Sequence, residues 1–236
     1  MTIALALLGL GAGTLTTVAG QGGGLVLLLA CAALVGPRSA LAITAPALLL
    51  GNLHRALLFR RDIDRSVALR TVAGAVPGAF AGGLLAGTLP EWTLRVLLVG
   101  LTALSIARAM HLLAFDVPRW SLGPAGFVIG CMTGTAGGAG ILFAPVLLSA
   151  GLHGRAFVGT IATVAFATHA GRVVAYATNG VFGRELLLPI LVVSASIALG
   201  NALGERLRAR LSSTTTTRLE YGVLVLCAAL SVGGIA

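Results

Sequence analysis

Charged residues are scarce in this chain, and lysine is missing altogether. Only 10% of the 236 residues are charged, whereas soluble domains average about 25%. Hydrophobic residues make up 57% of the chain, and its mean hydropathy is +1.01. A soluble fold of this size could not bury so much apolar surface. The composition therefore excludes an ordinary soluble protein and predicts an all-α membrane protein that crosses the bilayer several times.

Acidic residues are few, and none lies in the middle of an apolar run. The seven are Asp62, Asp64, Glu91, Asp116, Glu185, Glu205 and Glu220. Ionisable residues inside a membrane commonly mark proton or ion pathways. Their placement at run edges argues against a carboxylate proton relay and against a carboxylate site for a cation.

The sequence also lacks any recognisable catalytic or metal-binding pattern. Its three cysteines, Cys31, Cys131 and Cys227, have no metal-ligand spacing, and none of its four histidines pairs with an acid in a suggestive way. It contains no Gly-x-Ser-x-Gly, His-Glu-x-x-His or Gly-Lys-Ser motif. We therefore expect no enzymatic activity, no metal and no cofactor.

The net charge of +9 comes entirely from an excess of arginine. In a soluble protein this balance would indicate nucleic-acid binding, but here the arginines mainly flank apolar runs. That placement indicates membrane topology and contact with lipid headgroups. The first 20 residues lack a positively charged start, and Val18-Ala19-Gly20 is a poor cleavage signal, so we expect no cleaved signal peptide.

Eight apolar runs follow one another along the chain. They cover residues 1–35, 39–58, 68–88, 92–115, 121–150, 156–177, 186–204 and 219–236. A membrane-spanning helix needs roughly 20 residues, so the first and fifth runs are too long for one untilted crossing. Glycine clusters at 20–24 and 137–140 interrupt them. Because glycine weakens a helix by about 1 kcal/mol relative to alanine, we predict a break in each run.

The eight runs divide into two similar halves, which we take as a first repeat, 1–118, and a second repeat, 119–236. The matching segments are 22–24 with 138–140, 37–39 with 154–156, 52–55 with 169–172, and 81–83 with 199–201. An internal repeat with broken apolar segments at matching places is typical of transporter folds.

The arginines indicate that the halves are inverted. If the first and fifth runs each cross the membrane once, the arginines divide seven to six between the two sides, which violates the usual cytoplasmic excess. If both runs are re-entrant hairpins, ten share one side: Arg60, Arg61, Arg65, Arg108, Arg119, Arg155, Arg206, Arg208, Arg210 and Arg218. Only Arg38, Arg95 and Arg184 then lie opposite. We therefore expect four helical segments in each half, the first of them re-entrant, in opposite orientations.

The two helix breaks are the first candidate binding region. A half-helix that starts inside the membrane exposes unpaired N–H groups and about half a positive charge, which together favour an anion. The candidate residues are Gly22, Gly23, Gly24, Gly137, Gly138, Ala139 and Gly140, with polar contacts from Thr17, Gln21, Thr133 and Thr135. The alternative is that these glycines only permit close helix packing.

Two basic pairs near the ends of the second and sixth runs are the second candidate region. Arg55 follows His54, and His169 lies three residues before Arg172, on the same helix face. These residues could line a cavity and attract an anion. The alternative is that Arg55 and Arg172 extend to the lipid headgroups.

These motifs resemble the sulfite exporter TauE/SafE family, including its members that resemble 4-toluenesulfonate uptake permeases. Segment 137–140 with Pro145 is similar to the family's Gly-Gly-x-Gly-x-x-x-x-Pro pattern, and Thr160 to the threonine of the Thr-Ser step that follows. His54-Arg55 with Asp62-Ile63-Asp64 resembles its His-Arg…Asn-Val-Asp segment. The first-half proline is missing, and Ile161 replaces the serine. The resemblance implies transport of sulfite or an organosulfonate such as sulfoacetate, often outward.

The residues alone indicate a small-anion transporter, and the resemblance supplies the sulfur. We expect a secondary transporter in a bacterial inner membrane, with a small inorganic or organosulfur anion and membrane lipid as partners, no nucleic acid, and a homodimer as the candidate oligomer. An anion channel and a non-transporting membrane assembly subunit remain alternatives.

Overall fold

The computed structural model describes residues 1–20, 22–109 and 118–211, and this part of the chain is helical without a β-strand. Three short 3₁₀ turns cover Arg119–Ser121, Gly138–Leu142 and Arg184–Leu186. The α-helices are α1 (Thr2–Ala19), α2 (Gly23–Val35), α3 (Pro37–Leu58), α4 (Arg65–Thr88), α5 (Glu91–Ala109), α6 (Leu122–Ala136), α7 (Phe143–Ser149), α8 (Gly154–Thr178) and α9 (Leu187–Arg208). The eighth apolar run, 219–236, lies outside the described residues.

Five of these helical segments are long and apolar enough to cross a bilayer: α1, α3, α4, α8 and the stretch Arg184–Arg208 that contains α9. Two shorter apolar segments, Gly23–Val35 and Gly138–Ser149, follow the glycine clusters. Backbone polar groups must be satisfied internally in lipid, which an α-helix achieves within a single segment. The prediction of an all-helical, multi-pass membrane protein is confirmed.

Both long runs are broken where the glycines cluster. α1 ends at Gly20 with φ +83°, and Gly22 has φ +90°, while the break after α6 is at Gly137 with φ +89°. Side chains other than glycine rarely adopt such angles, because Cβ crowds the backbone. The second break differs from the simple half-helix start that we expected: a 3₁₀ turn covers Gly138–Leu142, and α7 begins only at Phe143.

Small residues allow two pairs of helices to pack with their backbones in contact. A Cβ atom at Gly74, Gly78 or Gly82 of α4 would overlap the backbone of α6. On the other side of the molecule, Gly13 of α1 and Gly200 of α9 face each other's helices in the same way. Close approach through small residues is the usual source of helix association in membranes. The α4–α6 and α1–α9 pairs therefore form the two tightest interfaces of the described structure.

The contacts also fix the relative directions of the helices. Contacts between α1 and α9 run from Gly9 against Val193 to Val18 against Arg208, so these helices are parallel. Gly74 against Gly123 and Gly82 against Cys131 make α4 and α6 parallel as well. In contrast, Leu41 of α3 contacts Arg172 of α8, and Phe59, directly after α3, contacts Gly159 near the start of α8. This reverse order makes α3 and α8 antiparallel.

The same helix contacts recur in the two halves, with one numbering difference for each pair of equivalent helices. Gly9 and Gly13 of α1 contact α9 as Gly126 and Gly130 of α6 contact α4, which is a difference of 117 residues. Gly200 and Gly204 of α9 make the contacts that Gly78 and Gly82 make in α4, a difference of 122. The sequence match of 81–83 with 199–201 is therefore wrong by four residues, about one helical turn. The reason is that the connection before α9 is longer than the one before α4.

Candidate functional site

Both helix breaks border one cavity in the interior of the molecule. Its volume is about 80 Å³, and one water requires roughly 10–15 Å³ of such space. The cavity therefore has room for several waters or for one compact anion. Its lining from α1, α2, α3, α8 and α9 includes Thr16, Gly24, Leu25, Leu28, Leu48, Asn52, Arg55, Ile161, Ala165, His169, Arg172, Ile197 and Asn201.

Most, but not all, of the candidate residues in the two glycine clusters line the cavity. Gly22 and Gly24 line it from the first break, and Gly137, Gly138 and Gly140 from the second. Two other candidates do not line it. A Cβ atom at Gly23 would overlap Thr16 and Ala12 of α1, and Ala139 is fully buried in an apolar cluster. Gly137 and Gly138 line the cavity and are also closely packed, because an added Cβ there would overlap Leu28 or Leu25 of α2. Ligand approach and close packing therefore both apply to the breaks.

Arg55 lies at the cavity near the end of α3 and is 2% exposed. Its Nη1 donates to the carbonyl oxygen of Thr16 at 3.0 Å, and its Nη2 to Oδ1 of Asn52 at 3.0 Å. Its Nε has no hydrogen-bond partner among the described residues. The side chain thus connects α3 to the end of α1 and keeps one N–H unpaired.

Arg172 lies at the equivalent position of α8, 117 residues further on, and is fully buried. Its Nε donates to the hydroxyl oxygen of Tyr176 at 3.0 Å, and its Nη2 to the carbonyl oxygen of Leu41 at 3.3 Å. The Tyr176 hydroxyl in turn donates to the carbonyl oxygen of Gly134 at 2.9 Å. The Nη1 of Arg172 has no partner in the described part of the chain.

Four further polar side chains line the cavity, those of Thr16, Asn52, His169 and Asn201. His169 is 7% exposed, and its Nδ1 has no partner in the described ranges. Asn52, the residue equivalent to His169, donates to the carbonyl oxygen of Leu48 at 2.8 Å. Asn201 donates to the carbonyl oxygen of Gly51 at 2.7 Å and accepts from the Thr17 hydroxyl at 3.0 Å. Together with the two guanidinium groups, these side chains give the cavity a partly polar lining.

The remaining residues of the sequence-based site lie elsewhere. Thr133 and Thr135 donate their hydroxyls to carbonyls one turn back in their own helix, and neither lines the cavity. Thr17 is fully buried behind Asn201. His54 does not line the cavity, although its Nδ1 is buried without a partner in the described structure. Gln21 lies outside the described residues.

Sequence reasoning missed Asn52, Asn201 and Thr16 as cavity residues. A signal for Asn52 was present, because it occupies the same repeat position as His169 and lies three residues before Arg55, on the same helix face. Asn201 reaches the cavity from α9, the last described helix, and nothing in its local sequence indicates that contact.

The cavity lining carries two positive side chains and no carboxylate. The acidic residues with described positions, Asp62, Asp64, Glu91, Glu185 and Glu205, lie in loops or within about a turn of a helix end. One of them, Asp62, forms an ion pair with the exposed Arg155 at 3.1 Å. The interior of the molecule is therefore positive, and the negative groups lie toward its two surfaces.

Apolar crossing helices, two broken segments and a central basic cavity define this chain as a multi-pass helical membrane protein of the transporter type. The chain belongs to the sulfite exporter TauE/SafE family, whose model matches residues 5–232. This is a family of membrane transporters, and the match covers nearly the whole chain. No curated protein and no solved structure matches the chain significantly.

Proposed function

We propose that this protein is a secondary transporter that exports a small sulfur-containing anion, sulfite or an organosulfonate such as sulfoacetate. One observation supports the proposal. The buried side chains of Arg55 and Arg172 line the cavity that the two helix breaks also line, and each side chain keeps an unpaired N–H group. Buried charges are costly unless they are paired. An anion between them would supply the missing partner, and family membership favours a sulfur oxyanion.

Backbone groups at the breaks supply the rest of the proposed binding site. α2 is 13 residues long. Leu25 and Val26 donate their N–H groups to the Gly22 carbonyl, whereas the N–H groups at the very start of the helix have no acceptor within it. These groups and the helix dipole favour negative charge at Gly22 and Gly24. At the second break, Gly137, Gly138 and Gly140 bring bare backbone to the same cavity. The absence of side chains at these positions lets a compact oxyanion approach the peptide groups.

We further propose that the halves 1–118 and 119–236 form an inverted repeat and that their relative movement gives alternating access. The exchange of equivalent contacts supports this arrangement: α1 packs on α9 as α6 packs on α4. α3 and its equivalent α8 run in opposite directions, which supports opposite orientations of the two halves. In transporters with this symmetry the substrate binds between the repeats.

The arginines support an orientation in a bacterial inner membrane. One side of the helix bundle holds the end of α3, the starts of α4 and α8, and the end of α9. The exposed arginines on this side are Arg60, Arg61, Arg65, Arg155, Arg206 and Arg210. The excess of positive charge assigns this side to the cytoplasm. An anion leaving a negative-inside cell moves downhill by about 2.3 kcal/mol per charge per 100 mV, so export needs no coupling ion.

Sulfite flux through proteoliposomes, measured under a fixed membrane potential, tests this proposal. We expect saturable flux that falls at least about thirtyfold in Arg55→Gln and in Arg172→Gln, because removing one member of a buried charged interaction costs roughly 2–5 kcal/mol. Arg206→Gln, which changes an exposed arginine at the end of α9, is the matched control and keeps wild-type flux. Unchanged flux in both cavity variants would refute the site, and non-saturating flux would assign a channel instead.

A further inference from the structure

The two cavity arginines have only neutral acceptors within the described structure. Arg55 donates to the Thr16 carbonyl and the Asn52 amide oxygen, and Arg172 donates to the Tyr176 hydroxyl and the Leu41 carbonyl. Neutral acceptors satisfy the geometry of a guanidinium group but leave its charge in place. The lining of the cavity therefore holds two positive charges that no protein carboxylate in that lining compensates.

Because both arginines are buried, their two positive charges determine which ligand charge the cavity prefers. Arg172 is fully buried and Arg55 is 2% exposed, so water screens neither group effectively. In such surroundings the electrostatic interaction is much stronger than in water. A ligand with one negative charge would leave the site with a net positive charge, whereas a ligand with two would neutralise it.

We infer that the cavity selects doubly charged oxyanions over singly charged ones of the same size. This inference rests on the proposed function and narrows its substrate class. Deprotonated sulfite and sulfoacetate carry two negative charges, whereas simple alkyl sulfonates carry one, and taurine is a zwitterion. The volume of about 80 Å³ favours the most compact of these dianions.

The unpaired donors fit the same ligand. Nε of Arg55 and Nη1 of Arg172 each offer a charge-assisted hydrogen bond, which is shorter and stronger than a neutral one. A trigonal SO₃ group has three oxygens, which is enough acceptors for both arginines and for the glycine backbone at Gly138 or Gly140. The number of donors therefore matches the oxyanion, and the charge of the two arginines matches that of a dianion.

Sulfite and methanesulfonate form the matched ligand pair that tests this inference. Both present an SO₃ group of similar size, but at alkaline pH sulfite is a dianion and methanesulfonate a monoanion. Calorimetric titration of the intact detergent-purified protein, at constant ionic strength set with chloride, gives both dissociation constants. We expect sulfite to bind at least about tenfold more tightly, which is within the range measured for close charge pairs.

Two variants separate charge from structure. Arg55→Gln should bring the sulfite-to-methanesulfonate affinity ratio close to one, while Arg55→Lys, which keeps the charge, should retain the preference. A merely structural role for Arg55 would lower both affinities together and leave the ratio unchanged, and this result would overturn the inference. Equal binding of both anions by the wild-type protein would also overturn it while leaving the proposed function intact. Failure of both anions to bind would remove the proposed function itself.

Discussion

The two halves of the molecule hold their cavity arginines in different ways. In the first half, Arg55 donates directly to the Thr16 carbonyl at the end of α1. In the second half, Arg172 reaches the end of α6 through the hydroxyl of Tyr176, which donates to the Gly134 carbonyl. The residue equivalent to Tyr176 in the first half is Phe59, which has no hydroxyl group.

This difference shows that equivalent positions are kept while their chemistry changes. The two arginines occupy the same repeat position. However, the residue equivalent to Asn52 in the second half is His169, and a short 3₁₀ turn lies at the second break where the first break has a helix start. The two sides of the cavity are therefore related in geometry and unequal in hydrogen bonding.

Among changes that compare the two halves, the largest effect should come from filling the cavity at a glycine that lines it. At Gly140 an added Cβ would meet nothing within 4 Å, so Gly140→Leu places its side chain in the cavity without a backbone clash. We expect sulfite flux to fall at least about tenfold, because overpacking a filled site costs roughly 1–3 kcal/mol. Thermal stability in detergent should stay near the wild-type value.

Two further glycines serve as controls for this variant. Gly23→Ala, at the first break, should lower the melting temperature, because its Cβ would overlap α1. Gly11→Leu, on the exposed face of α1 with open space around it, should alter neither flux nor stability. If Gly140→Leu lost stability as Gly23→Ala does, Gly140 would be a packing residue like Gly23 and would not be part of the binding site.

An intermediate effect should follow from making the second half resemble the first at Tyr176. Tyr176→Phe removes the hydroxyl between Arg172 and Gly134 and leaves two buried groups without their partner. Unfolding should become easier by roughly 1–3 kcal/mol, measured as a lower melting temperature. Trp120→Phe, at an exposed aromatic residue, is the control. A melting temperature equal to that of the wild type would show that the direct and relayed arrangements are energetically equivalent.

The smallest effect should appear at the pair Arg38 and Arg155, which start α3 and α8 at equivalent positions. The Arg155 side chain is 61% exposed, and its ion pair with Asp62 is of the surface type, worth at most about 1 kcal/mol. Arg38 is half-buried and donates to the Leu89 carbonyl at 2.7 Å, after the end of α4. Arg38→Gln should therefore lower the melting temperature more than Arg155→Gln does. The reverse order would contradict this assignment of the two contacts.

Much of the fold could be predicted from local sequence alone. Long uncharged runs require a membrane, and clustered glycines at 20–24 and 137–140 break helices wherever they lie. The equivalence of Arg55 and Arg172 could be predicted from the repeat because segments 37–39 and 52–55 both lie 117 positions before their partners. The fourth segment could not be aligned in this way, since the longer connection before α9 shifts it by about a turn.

The candidate site was harder to predict, because its members are selected by tertiary contacts. Gly23 and Gly140 look alike in sequence, yet one meets α1 and the other faces open space. Thr133 and Thr135 were predicted to face a ligand, but threonine hydroxyls in helices readily bond to the carbonyl one turn back, as both do here. Asn201 becomes a cavity residue only because α9 packs beside α1 and α3.

The most direct test of the central claim is an anomalous difference map from crystals soaked with selenite, a close analogue of sulfite whose selenium atom can be located unambiguously. The account predicts one strong peak inside the cavity, within hydrogen-bonding reach of Arg55 and Arg172 and beside the glycines of both breaks. Peaks confined to exposed arginines such as Arg60 or Arg206, with the cavity empty in a protein that still transports sulfite, would contradict it.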